Sequence, residues 1–344
     1  TAQYPAFLHP GTLRVPGGQP EVRIYPRTSR RLAWWNPFSW WLTGVRLRRF
    51  DAVLLVHAAT VQVPAYLVLL AALRRQRRTG AGPRVVVVAH NVLPHERHRG
   101  DAALVRALFS RSDGVLVHSD ELAALAAPLA GPRTRVMVAE IAPHLPVLPV
   151  ARHAVSGGAE PFERLLFFGT VRPYKGLDVL LKALARVPRV RLVIAGDIWS
   201  GASALRAQLV SLQLADRVEL RPGYVAGADI PSLFHNVDAL VLPYRSGTAS
   251  QNVLLAWAMG VPVIATRSGT LTSQVHDGVD GLLAAPDDVD DLAAAINRFY
   301  TAGTPLRLRA GVPVVDVESS WASYVDILGA ALAGVPVAGT RASR

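Results

Sequence analysis

The sequence predicts an α/β protein made of two doubly wound domains, and three observations lead there. Its 344 residues exceed what one ordinary core accommodates. Apolar residues make up 51% of the chain, uninterrupted by any low-complexity tract, so both halves have surface to bury. Short β-branched runs alternate with Ala/Leu/Arg-rich helical runs, and the alternation starts afresh after one stretch of mixed polarity.

In the first half, 51–56, 84–89, 114–117 and 134–139 read as strands, and 61–78, 101–110 and 119–129 as helices. Strands separated by helices in this way are βαβ units of a parallel sheet. The chain opens on Tyr4-Pro5-Ala6-Phe7-Leu8, with no apolar strand leading into a glycine loop and helix, so the first domain is expected to lack those two parts. The stretch 146–161, with Ser156-Gly157-Gly158, reads as a linker. The second half resumes at 164–168, 177–185, 190–195, 203–212, 218–220, 230–235, 239–242, 252–259, 262–265, 281–284 and 289–300. Near the end, Trp321, Tyr324, Ile327 and Leu328 form one helical stripe over 320–332, expected to return toward the first domain. The predicted organisation is therefore a first domain at 1–147, a linker at 148–162, a second domain at 163–315, and a returning helix with a tail at 316–344.

Composition narrows the function. With no cysteine there are no disulfides, thiolate metal sites or cysteine nucleophiles, and a reducing compartment fits. The longest apolar run, 61–73, contains a proline and closes on Arg74 and Arg75, short of the roughly 20 residues a spanning helix needs. No secretory leader pattern stands at the start. The expected location is cytoplasmic, peripheral on the inner face of the cell membrane. Residues 1–150 hold 19 Arg against 8 acidic residues, and 151–344 hold 18 basic against 17 acidic, so nearly all of the +12 charge sits in the first half. Such asymmetry suggests a membrane surface, an acidic acceptor or a nucleic acid as partner. Nucleic acid is set aside, because no recognition element accompanies the charge. A GC-rich genome would also produce the skew of 35 arginines to two lysines, Lys175 and Lys182.

In doubly wound sheets ligands sit beyond the carboxyl ends of the strands. The loops to search are those after Phe168, Ala195, Leu220, Leu242 and Ala265. The run Leu165-Leu166-Phe167-Phe168-Gly169-Thr170-Val171-Arg172-Pro173-Tyr174-Lys175-Gly176 leads into a helix. Its glycine admits a ligand close to the backbone, and Arg172 and Lys175 beside a helix N-terminus suit a diphosphate. A solvated loop fits those residues equally well. The run Leu242-Pro243-Tyr244-Arg245-Ser246-Gly247-Thr248-Ala249-Ser250 precedes Gln251 and Asn252 of another helix. Its hydroxyls and amides suit an anion, or simply an N-cap.

Together these loops resemble the donor-binding half of glycosyltransferase family 4. The resemblance runs from Arg164 to about Tyr300 and includes Gly169 to Gly176, Ala195-Gly196-Asp197, Gly223-Tyr224-Val225, Asp238 to Tyr244, Gly260-Val261-Pro262-Val263 and Asp277-Gly278-Val279-Asp280-Gly281-Leu282. It implies the GT-B fold, two Rossmann-like domains facing each other across a cleft, and retaining transfer of a sugar from a nucleoside diphosphate donor, UDP- or GDP-linked. Arg172 and Lys175 would hold the donor pyrophosphate, and Gly223 to Val225 would contact the base. Loop 246–252 would cradle phosphate and sugar. Two glutamates eight apart in the family fall here on Gly247 and Leu255, and a third on Ser273. The Ser246-Gly247-Thr248-Ala249-Ser250 run looks like a bacterial subset that uses hydroxyls there. The missing carboxylates also leave open a protein that binds sugar nucleotides without transferring sugar.

In the first half, Ala89-His90-Asn91-Val92-Leu93-Pro94-His95-Glu96 follows a strand, and His90 resembles the family's His-Asn or His-Asp pair near the transferred sugar. His90 is thus a catalytic candidate beside Arg172 and Lys175, with Asn91, His95 and Glu96 on the acceptor side. His118-Ser119-Asp120-Glu121 reads as a helix cap. Neither cluster has metal spacing, so neither a metal nor a separate cofactor is expected. The segment 30–49 interleaves four Trp with arginines and reads either as a bilayer-interface helix or as a core helix with Trp34, Phe38, Trp41 and Val45 inward. The implied acceptor is lipid-linked or a glycolipid, in exopolysaccharide or cell-envelope assembly, with a soluble natural product as the rival.

Overall fold

A computed structural model describes residues 32–33, 36–74, 82–94, 98–143, 163–198, 202–246 and 250–336. The chain divides into two compact units, the first containing Arg23–Ala142 and Glu318–Arg344, the second containing Pro143–Val317.

The first unit runs α1 (Pro37–Leu47), β1 (Ala52–His57), α2 (Val63–Arg74), β2 (Arg84–Ala89), α3 (Asp101–Phe109), β3 (Gly114–Val117), α4 (Asp120–Ala126) and β4 (Arg135–Val138). Its four strands pair in parallel in chain order. β2 and β3 are apolar without alternation because both faces of a parallel sheet are covered. One face packs against α2, α3 and α4 through Leu70, Leu73, Leu108, Phe109 and Leu122.

The other face meets a helix from the far end of the sequence. Tyr324, Ile327, Leu328, Ala331 and Leu332 pack on Val86, Val88, Leu116, Met137 and Ala139. Arg84 Nε donates to the Ala331 carbonyl at 2.8 Å.

α1 corrects one expectation. Asn36 caps it, accepting from Phe38 N at 3.0 Å, and Pro37 opens it with φ already helical. Its inward residues are Trp40, Gly44 and Leu47, not the expected stripe: Phe38 is 78% exposed, and Leu42 and Val45 also face outward. Trp40 turns inward because its ring meets Tyr66 of α2 edge-on, with centroids 5.8 Å apart, and its Nε1 donates to Ala33 O at 2.9 Å. Trp34 lies outside the described residues. No described helix is long and apolar enough to cross a membrane.

The second unit runs β5 (Arg164–Phe168), α5 (Leu177–Ala185), β6 (Arg191–Gly196), α6 (Ala202–Ser211), β7 (Val218–Pro222), α7 (Ile230–His235), β8 (Ala239–Leu242), α8 (Gln251–Ala258), β9 (Val263–Thr266), α9 (Leu271–Gln274), β10 (Gly281–Ala284), α10 (Val289–Phe299) and α11 (Thr304–Gly311). The last helix, α12 (Val317–Ala333), is the one that covers the first sheet. The six parallel strands stand in the order β7-β6-β5-β8-β9-β10. One core cluster centres on Leu165, Phe167, Leu180, Leu181 and Phe299, the other on Leu166, Leu240, Leu242, Val253 and Trp257. Alternate residues of β5 thus feed opposite layers.

Candidate donor site and the histidine cluster

Strand order in the second sheet reverses at β5 and β8, which pair directly while their flanking helices lie on opposite layers. A switch point of this kind opens a crevice where the chain leaves both strands. Here the two exit loops touch. Arg245 N donates to Tyr174 O at 2.8 Å, and Asn252 Nδ2 donates to Phe168 O at 3.0 Å.

Lys175 lies in this crevice, 9% exposed, with its Nζ 5.6 Å from the Tyr244 ring centroid. Gly169, at φ +105°, opens the space: a Cβ there would sit 3.0 Å from Lys175 Nζ. Burial lowers the lysine pKa, nearby Tyr174 opposes that, and Arg172 reinforces it. Among the described residues no carboxylate forms an ion pair with Lys175. Arg172 stands close by, its guanidinium 6.0 Å from the Tyr174 ring. A buried ammonium next to a second cation is costly, and an anion entering the crevice would offset that cost. Tyr244 forms its wall, its phenol pushed up to about 12 by burial, against the opposing effect of hydrogen bonds with Ser250 and Asn252.

Arg245 was not singled out by sequence, yet it anchors the crevice. It donates to both carboxylate oxygens of Asp178, at 2.8 and 2.7 Å, to Asp287 at 2.8 Å and to Pro173 O at 2.7 Å. Those bonds hold the Asp178 carboxyl below its ordinary range, the Arg245 hydrogen bond first among the causes. The bidentate fork pins the Pro173–Lys175 turn against the loop after β8.

The other predicted donor residues gather at the same end of the sheet. Gly169 N donates to Ala195 O at 2.9 Å, Val171 N to Asp197 O at 2.7 Å, and Gly223 N to Gly196 O at 3.0 Å. Backbone bonds thus continue past the strand ends and bring Gly169, Thr170, Gly196, Asp197 and Gly223 together. Tyr224 follows with 46% exposure, and Val225 packs against the second core cluster. Ser250 is buried at the start of α8, followed by Gln251 and Asn252, and Ser246 is exposed. Gly247 and Thr248 lie outside the described residues. Of the positions where the resemblance led us to expect glutamate, Leu255 is 2% exposed in the core and Ser273 donates its hydroxyl to Thr270 O at 3.0 Å.

The first unit carries a cluster of its own. His57, His90 and His118 end or follow β1, β2 and β3, so three adjacent parallel strands deliver them to one end of the sheet. His118 Nε2 is 3.1 Å from His90 Nδ1, and His118 Nδ1 is 3.1 Å from Ala139 O. Asn91 follows His90, while His95 and Glu96 lie outside the described residues. Ser119 caps α4, accepting from Leu122 N at 3.3 Å. No group of three His, Asp or Glu among the described residues is arranged to hold a metal ion.

His57 is 1% exposed, and no partner reaches its Nδ1 among the described residues. Burial, then the proximity of His90, lowers its pKa to about 4. The unfolded chain takes up this proton near pH 6.5, while the native state refuses it until about pH 4. Its contribution to stability is therefore complete above 6.5 and is lost as pH falls toward 4, on the order of 3 kcal/mol in all. In urea titrations the His57→Leu variant should lose less stability than the native chain across that window. Parallel pH dependences would contradict the assignment.

Residues 163–302 match the family model described as glycosyl transferases group 1. Most of the second unit is therefore similar in sequence to the group 1 glycosyltransferases. A D-inositol 3-phosphate glycosyltransferase of Mycobacterium marinum is 37% identical over 145 residues, 41% of this chain and 31% of that protein. The chain thus matches about a third of the length of this curated relative. Among solved structures, Anabaena HepE in complex with UDP is similar over 87% of this chain and 82% of its own, with TM-score 0.65 and 21% identity. The lipopolysaccharide outer core galactosyltransferase WaaB is similar over 87% and 80%, with TM-score 0.60 and 17% identity. At these identities the likeness establishes the fold, which is GT-B. The crevice around Lys175 lies inside the matched glycosyltransferase segment.

Proposed function

We propose that the chain is a retaining glycosyltransferase that moves a sugar from a UDP- or GDP-linked donor to an acceptor hydroxyl. The observation that carries this reading is Lys175, an almost fully buried cation beside Arg172 at a sheet switch point, with no carboxylate paired to it among the described residues. A nucleoside diphosphate supplies the missing negative charge. As the bond from the anomeric carbon to the diphosphate breaks, its electron pair goes to the leaving phosphate oxygen, and Lys175 and Arg172 stabilise the charge that develops there. Retention means that the acceptor oxygen takes the leaving group's place on the same face of the sugar, its proton passing to the departing diphosphate oxygen. The family-model match over residues 163–302 and the likeness to UDP-bound HepE support the same donor class.

For the acceptor we propose a lipid-linked sugar or glycolipid of cell-envelope or exopolysaccharide assembly, met at the cytoplasmic face of the membrane. The basic first half supports this, as does the outer face of α1, where Phe38, Leu42 and Val45 are exposed near Arg46 and Arg49. WaaB, a similar fold, is by name a lipopolysaccharide outer core galactosyltransferase.

A second reading, binding without transfer, draws on the buried Leu255 and engaged Ser273 where the resemblance led us to expect glutamates. One experiment separates the two. The correct nucleotide sugar at about 100 times its Kd should stabilise the fold by about 2.7 kcal/mol and be slowly hydrolysed. Stabilisation without turnover across lipid and soluble acceptors would leave only binding. Failure to co-sediment with anionic vesicles at low salt would remove the lipid acceptor.

A further inference from the structure

Lys175 is bracketed by one short stretch of the loop after β8. On its amino side, Pro173 and Tyr174 both give their carbonyls to Arg245. The side chain donates from Nη1 to Pro173 O at 2.7 Å, and the backbone N–H donates to Tyr174 O at 2.8 Å. On its carboxyl side stands Gly176 at φ +65°, where an added Cβ would lie 2.0 Å from Pro243 O. The turn therefore rests against Pro243 and Arg245, and where it carries Lys175 depends on where Arg245 is held.

Two carboxylates hold it. Asp178, in the first turn of α5, takes the guanidinium fork through both oxygens, and Asp287, in the loop between β10 and α10, accepts from Nε at 2.8 Å. With Pro173 O, four of the five guanidinium N–H groups are committed. A lysine offers the same charge without the fork. The Arg245 side chain is 30% exposed, and ion pairs open to water to that degree add little to global stability. The effect of these bonds falls instead on the local shape of the turn they hold.

We infer that Arg245 is a positioning residue of the phosphate site: by clamping the loop after β8 to the Pro173–Lys175 turn and to α5, it sets the place from which Lys175 meets a diphosphate. This rests on the reading of the Lys175 crevice as a diphosphate site. Arg245 acts through Lys175, not through contact with the ligand, and its partners all lie within the second unit.

The test measures binding of UDP and GDP to the full chain and follows the tighter of the two. Arg245→Lys keeps the charge and loses the fork; it should weaken binding about 10- to 100-fold, as when a binding group is displaced by about an ångström. The urea midpoint should stay close to native. In the Lys175→Ala background the same substitution should change affinity by less than about twofold, because the group it positions is gone. Asp178→Asn gives the sharper check. It removes a negative charge and would tighten an anion site if charge alone mattered, whereas loss of the fork weakens binding.

Hydrogen exchange reads the clamp without any ligand. The Lys175 and Gly176 amides, which donate to Arg172 O and Pro173 O at 3.0 and 3.2 Å, should exchange faster in Arg245→Lys, with those of β5 and β8 unchanged. Native affinity in Arg245→Lys, tighter binding in Asp178→Asn, or an undiminished loss in the Lys175→Ala background each overturns the inference. A native chain that binds neither nucleotide overturns the diphosphate reading. Faster exchange at Lys175 and Gly176 then still supports the clamp, and unchanged exchange overturns it as well.

Discussion

Lys175→Ala should reduce donor turnover by about 100- to 1,000-fold, the loss seen when a preorganised group facing developing charge is removed. The size follows from burial. Water does not screen a cation that is 9% exposed against Tyr244 and Tyr174, so its field acts almost undiminished on whatever anion enters. The same substitution should leave the unliganded fold at least as stable, because it removes a buried charge with no carboxylate partner among the described residues. That combination, slower turnover with an undiminished urea midpoint, separates a binding lysine from a structural one. Initial rates of nucleotide release measure the first quantity. A variant with native rates would end the assignment of the phosphate site.

Gly196→Ala should destabilise the second unit by on the order of 3 kcal/mol and weaken nucleotide binding with it. Gly196 adopts φ +138°, and an added Cβ would lie 2.2 Å from Gly169 O. The clash is with backbone, so no side-chain rotation relieves it, and the loop after β5 must lift. That loop carries Arg172 and Lys175. Circular dichroism during urea unfolding reads the stability, and a midpoint equal to that of the native chain would show that the two glycine turns are not in contact.

How much of this was legible in the sequence depends on the range of the interactions. Gly169 to Gly176 announced itself because a strand, a glycine turn and a helix start are local and contiguous, and the structure puts Lys175 in the crevice. Arg245 did not, since its partners Asp178 and Asp287 lie 67 and 42 positions away and only the sheet order brings them together. The facing of α1 was misread for a related reason. Its periodicity admits more than one apolar stripe, and the choice was made by Tyr66 of α2, which receives Trp40. His118 was taken with its neighbours as a capping cluster. Ser119 does cap, but the histidine one residue earlier belongs to the strand end and turns to His90, 28 positions back. The fact that His57, His90 and His118 each close a predicted strand was the available clue, and it becomes informative only when the strands are taken as neighbours.

The sheet that carries those histidines has one face covered by Tyr324 to Leu332, although its own strands end at Val138. During synthesis, the ribosome must add nearly two hundred further residues before that cover exists, roughly 10 to 40 seconds at ordinary elongation rates. For that interval Val86, Leu116 and Met137 are presented to water or to a chaperone. Shortening the protein at its carboxyl terminus would make the exposure permanent, so the damage would appear in the half made first.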